Sequence, residues 1–227
     1  MASWLGVDVG GRRKAFDAAL VGDRELIGLR RRQSVDDVVA WVSSARPSVV
    51  AIDSPRSCAP PGHTHRADER DLRNAVCGIR WTPPSADLDG NPYYEWIVEG
   101  LRLYRALAGR SVAVIECFPT ASWTRWHGER NGRPRGAWSR DALASLRLEG
   151  VPSRTNQDQR DAIAAAVTAR EFDQGRFERF GDIVVPPVRS AAPRSDRKST
   201  TMPVDGLRRA LPVPSRAQRD DRGRASR

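Results

Sequence analysis

From Trp4 to Gly11, apolar Leu5, Val7 and Val9 alternate with small or polar positions, and Gly10-Gly11 then breaks the run. The pattern predicts a strand entering a tight turn. Ala15 to Val21 is a second strand candidate, Gly22-Asp23 a turn, and Arg24 to Arg31 a third strand. Connections this short imply an antiparallel meander. Ser34 reads as a helix N-cap with Asp37 at the capping-box position, and Val35, Val38, Val39, Val42 and Ala45 fall at helical spacing until Pro47 stops them. The strand Ser48 to Asp53 follows, and a crossover through a helix places it parallel. Further on, Tyr93 to Ala108 reads as a helix stopped by Gly109, Ser111 to Phe118 as a strand, and Trp138 to Arg147 as a short helix. The last helix starts at Thr155-Asn156 and runs to about Phe172. The chain is therefore expected to be an α/β domain. Its mixed five-stranded sheet has three antiparallel strands, then two parallel ones, with helices on its faces.

Two stretches depart from this rhythm. Residues 54–92 are rich in Pro and Gly and read as a long insertion over one end of the sheet, a length typical of functional lids. Beyond Pro186 the periodicity ends and Pro, Arg, Ser and Asp dominate, so residues 1–186 are expected to form the domain and 187–227 a disordered basic tail. Of the net charge of +10, that tail carries +7, from eleven Lys/Arg against four Asp. Basicity of this origin can hold polyanions without sequence preference, but it says little about the fold itself. Three cysteines with no C-x-x-C spacing suit reduced thiols, and no run approaches the roughly 18 apolar residues of a membrane helix. An N-terminus that meets a charge by Asp8 does not resemble a signal peptide, so cytoplasm is the expected compartment.

The candidate chemistry lies at strand ends. Asp8 and Asp53 each stand in an apolar run, where β-propensity disfavours Asp and an unpaired buried charge costs several kcal/mol. Either could cap its own turn. Together they suggest a divalent-metal site, with Asp161 as a third carboxylate sharing a helical face with the small residues Ala164, Ala165 and Thr168. Asp158, one turn earlier, is explained by a place at the third helical position, where the dipole and cap favour an acid. Glu116 is a further acid on a strand, expected either in the site or paired with an Arg from the insertion. Carboxylates suit Mg²⁺ or Mn²⁺, and two such ions about 4 Å apart can activate water and stabilise a leaving oxygen. Arg12, Lys14, Arg66 and Arg73 are candidates to meet substrate phosphates. His63 and His65, in a Pro/Gly-rich loop, read as surface residues. Trp81, Trp96, Trp123 and Trp126 could stack bases or fill the core. Gly10-Gly11 lacks the P-loop Lys-Ser/Thr, which excludes a nucleotide triphosphatase of that type.

The ordered words Gly-Val-Asp8, Ala-Ile-Asp53-Ser-Pro, Arg66-Ala-Asp-Glu-Arg-Asp-Leu-Arg73, Gly78-Ile-Arg-Trp-Thr-Pro-Pro84, Ile115-Glu-Cys-Phe-Pro119 and Asp161-Ala162 resemble an uncharacterised family of predicted ribonuclease H-like nucleases, a domain-of-unknown-function group. The resemblance covers roughly residues 4–172. It implies the ribonuclease H-like fold with sheet order 3-2-1-4-5, and a metal-dependent nuclease acting on nucleic acid. It also implies metal ligation by Asp8, Asp53 and Asp161, with Glu116 as a further catalytic candidate. Two other functions compete. One is a non-catalytic nucleic-acid-binding protein acting through its basic tail. The other is an actin- or sugar-kinase-like phosphotransferase, because Gly6-Val-Asp-Val-Gly-Gly11 also resembles that superfamily's first phosphate loop; the chain leaves no residues for the second domain such proteins need.

Overall fold

A computed structural model describes residues 2–189. The meander forms as the alternation requires: β1 (Trp4–Asp8), β2 (Phe16–Val21) and β3 (Leu26–Gln33) pair antiparallel. Helix α1 (Val35–Ala45) begins at a complete capping box between Ser34 and Asp37, and its chain returns as β4 (Val49–Asp53), parallel to β1. The insertion carries α2 (Ala67–Ala75), α3 spans Glu95–Leu107, and β5 (Ala113–Cys117) adds parallel to β4. Then come α4 (Pro119–His127), α5 (Arg135–Ser145) and α6 (Gln157–Asp173).

The sheet has seven strands, not the five expected. Beyond α6, a hairpin of β6 (Glu178–Phe180) and β7 (Ile183–Val185) extends it to the order β3-β2-β1-β4-β5-β7-β6. Three-residue strands are too short to show a period of two. Helix α4 was likewise unforeseen, because Pro119 reads as the end of a strand. Here it takes the first helical turn, where its missing N–H costs nothing. The expected tail lies outside the described residues from 190 onward. Among the described residues, no helix is long and apolar enough to cross a membrane.

Alternation sorts the side chains onto two faces. Leu5, Val7, Val50, Ile52 and Leu103 pack together beneath α1 and α3. Trp4, Ala19, Ala51, Ile115 and Cys117 pack on the other face against α4, α5 and α6. Helix α6 lies hard against β1, since a Cβ on Gly6 would fall 2.0 Å from the backbone nitrogen of Ala166. Gly6 and the alanines of α6 thus set the approach that carries Asp161 to the strand ends.

Candidate carboxylate site

Asp8 and Asp53 are register partners at the last positions of two adjacent parallel strands. Both share the phase of the α6 face, as do Gly6 and Ala51, so their carboxylates project toward α6. Asp161, 2 % exposed on the first turns of α6, completes the cluster. The three lie in a cavity of about 690 Å³ at the C-terminal edge of the sheet, walled by the insertion, α3 and the loop after β1.

The electrostatics are unfavourable to three charges. Burial, then the nearby Asp161, push the Asp8 carboxyl up to about 7, with Lys14 acting in the opposite sense. Burial and the neighbouring Asp8 and Asp161 hold Asp53 well above the usual carboxylate range. Asp8 Oδ2 is buried without a hydrogen-bond partner. Asp161 is better supplied. Its oxygens accept from Trp123 Nε1 at 2.9 Å, from Gln157 Nε2 at 3.0 Å and from Arg135 Nη2 at 2.9 Å. Burial still raises it.

Two cations reach the cluster from its rim. The turn Gly11–Ala15 folds back so that Lys14 Nζ lies 3.7 Å from Asp8 and 2.8 Å from Asp158. Burial works to lower the Lys14 ammonium, but the two acids raise it above its ordinary value. Asp158 is thus not explained by the helix end alone. The cap is Asn156 with Gln159 as its reciprocal partner, and Asp158 faces the cavity.

Glu116 lines the same cavity but stands on the other face of the sheet. Its register partner is Ile52, one residue short of Asp53. It accepts from Arg66 through Nη1 at 2.9 Å and through Nη2, and from the Arg56 backbone N–H at 2.8 Å. Arg66 is 4 % exposed and also bonds Glu69, whose carboxylate accepts in turn from the Thr82 N–H and hydroxyl. The insertion is clamped onto β5 by this network. Arg66, expected to meet phosphate, is instead held inside it. Arg12 is exposed and pairs with Glu99 at 3.2 Å, and Arg73 is exposed with its guanidinium 5.0 Å from the Trp81 ring.

One acid escaped the sequence reading. Asp17 pairs with Asp8 across the antiparallel ladder, so three carboxylates stand in a row on β2, β1 and β4. Its signal was the one that found Asp8, an Asp inside an apolar strand. Asp17 accepts from the Arg32 backbone N–H at 3.2 Å and lies outside the cavity lining.

The donor set is all carboxylate oxygen, which fits a hard divalent cation, and the unpartnered Asp8 oxygen fits it too. Among the described residues no three His, Cys, Asp or Glu form a ready-made metal cage. Lys14 and Arg135 lie against the acids instead.

The mixed sheet, of order 3-2-1-4-5 at its core with helices on its faces, is the ribonuclease H-like fold that the sequence resemblance implies, and acids stand at the ends of two of its central strands. The chain belongs to the family described as protein of unknown function (DUF429), whose model matches residues 6–184. No curated protein matches it. Two similar solved structures are Thermus thermophilus RuvC, at TM-score 0.44 and 14% identity over 76% of this chain and 96% of that one, and T. thermophilus RuvC in complex with Holliday junction substrate, at TM-score 0.43 and 14% identity over 77% and 97%. Neither likeness carries an argument about the site.

Proposed function

We propose that the protein is a divalent-metal-dependent nuclease that hydrolyses phosphodiester bonds at the Asp8–Asp53–Asp161 cluster. One observation carries the reading: carboxylates of adjacent central strands, in register and on one face, Asp8 buried and Asp53 partly so, stand beside Asp161 with too few internal partners for their charge. A protein gains nothing for folding from such a grouping, because like charges out of water destabilise one another. A cation would remove that cost.

Asp8 and Asp53 would hold a Mg²⁺ or Mn²⁺ between them, with Asp161 as a third ligand once Arg135, half exposed, turns away. When bound, such an ion supplies a Lewis acid that lowers the pKa of water and stabilises charge on a phosphodiester. The chain's own residues do the rest. Trp123 and Gln157 fix the Asp161 carboxylate from behind. Lys14, once displaced from Asp8, and Arg135, once displaced from Asp161, would meet the phosphate. The Arg66–Glu116 pair keeps the cavity wall in position and takes no part in ligation.

The test is cleavage of labelled oligonucleotides by the full chain in Mg²⁺ or Mn²⁺. Asp53→Asn should lose activity by about 10³-fold or more while its circular dichroism is unchanged. Full activity in Asp53→Asn would refute the assignment.

A further inference from the structure

The cavity that holds the acids does not end at them. Gly78, Thr120 and Arg135 also line a second hollow of about 680 Å³, so the two adjoin along one rim. The second hollow is polar, and its charged residues are Arg73, Arg130 and Arg135 against the single acid Glu129. Negative carboxylates thus sit at the bottom of one chamber, and a positive groove leads out of it. That arrangement fits a polyanion with one phosphate over the acids and the next phosphates along the arginines.

Shape and side chains narrow the kind of polyanion. Asp8 and Asp161 are 7 % and 2 % exposed, below the rim of a chamber the size of a small-molecule pocket. A paired duplex cannot push one strand into such a chamber without parting from the other. The insertion and the residue that follows it also present rings with cations on them. Arg73 lies 5.0 Å from the Trp81 ring, the His65 ring is tilted against Trp81 with centroids 4.6 Å apart, and Arg80 lies 5.9 Å from Tyr93, which is 58 % exposed. Unpaired bases have free faces to lay on such rings, and paired bases do not.

We propose that the substrate is a single-stranded or locally unpaired nucleic acid, entering the acid chamber and running out along the Arg73–Arg130–Arg135 groove, with bases resting on the insertion's aromatic rim. This rests on the nuclease reading for the chamber's role, but binding can be tested apart from cleavage.

The experiment is fluorescence anisotropy with the full chain in EDTA. The probes are a labelled single strand of about fifteen nucleotides without self-complementarity and a hairpin duplex of the same composition. The single strand should bind at least tenfold more tightly than the duplex. Arg73→Glu with Arg130→Glu should weaken single-strand binding tenfold or more and flatten its salt dependence. Arg24→Glu with Arg46→Glu, at the opposite end of the sheet, should change it less than twofold. Residues 187–227 are common to all these proteins and cancel in the comparison. Tyr93→Ala should weaken single-strand binding severalfold and leave the duplex untouched. If melting shows the charge-reversed pair to be poorly folded, Arg73→Gln with Arg130→Gln should give a smaller loss of the same sign. Equal or tighter binding of the duplex, or groove variants that bind like wild type, would overturn the proposal. Asp53→Asn should still bind the single strand. Single-strand preference with no metal-dependent cleavage would refute the nuclease reading alone. Cleavage of duplex, indifferent to the groove variants, would refute this proposal alone.

Discussion

Two groups of buried carboxylates border the same cavity from opposite faces of the sheet, and they are treated in opposite ways. Glu69 and Glu116 receive a guanidinium, three backbone N–H groups and a hydroxyl, and no oxygen of either is left over. Asp8 and Asp53 receive little beyond one ammonium at 3.7 Å, and one Asp8 oxygen has no hydrogen bond at all. An acid that the fold uses for itself comes with its partners. Asp17 Oδ2 is also buried without a hydrogen bond, but it lies outside the cavity, so a missing partner points to a cation only where the acid also faces that chamber. Burial alone does not separate the two groups, since all but Asp53 are almost wholly enclosed.

Breaking the satisfied group should cost the most stability. Arg66→Ala strands Glu69 and Glu116 without their counter-charge, and unfolding by urea should show a loss of about 3–5 kcal/mol. A variant as stable as wild type would mean that the clamp is ornamental.

The unsatisfied group should instead show itself through pH. An unfolded Asp titrates near 3.8, whereas Asp8 in the fold titrates at about 7. Between those values the folded protein binds the extra proton, so the stability that Asp8 contributes without metal is fully present below about pH 4 and is lost as pH rises through 7. At about 1.4 kcal/mol per pH unit, Asp8 alone contributes a fall of up to about 4 kcal/mol, and Asp53 adds in the same direction. Melting in EDTA across this range should show the slope in wild type and a shallower one in Asp8→Asn. Equal slopes would contradict the shift.

A smaller effect sharpens the comparison at Asp161, the one acid of the cluster with internal partners. Trp123→Phe removes the donor at 2.9 Å behind its carboxylate. It should cost about 2 kcal/mol by thermal melting, as lost hydrogen bonds to buried charges do. The corresponding change at Gln157, on the partly exposed side, should cost less.

How much of this was legible in the chain depended on whether the signal was local. The meander, the Ser34–Asp37 cap and the place of Asp8 and Asp53 at strand ends follow from alternation and turn residues alone. Two acids in apolar strands are visible one by one; their register is not, because it is fixed by the crossover through α1. The phase of β5 carries a further signal. Val114 and Glu116 fall together, opposite Ile115 and Cys117, which turns Glu116 away from Asp53. The same reading inside β2 would have raised Asp17. By contrast, Lys14 on Asp158 and Arg135 on Asp161 join residues 144 and 26 positions apart. Spacing gives no hint of either contact. The β6–β7 hairpin and α4 escaped because three residues cannot show a period and because Pro119 can end a strand or begin a helix equally well.

The central claim is that Asp8 and Asp53 lack partners because a divalent cation is their partner. Thermal melting of wild type, Asp8→Ala and Asp53→Ala, first in EDTA and then with Mn²⁺, tests it most directly. Binding to the folded state alone stabilises by about 2.7 kcal/mol at a hundredfold excess over the dissociation constant. For a domain of this size that is a rise of roughly 5–10 °C. Wild type should gain that much from Mn²⁺. The two alanine variants should melt no lower than wild type in EDTA, since each relieves repulsion, and should gain little from the metal. A wild type indifferent to Mn²⁺, with both variants melting well below it in EDTA, would show that these acids serve the fold and would contradict the account.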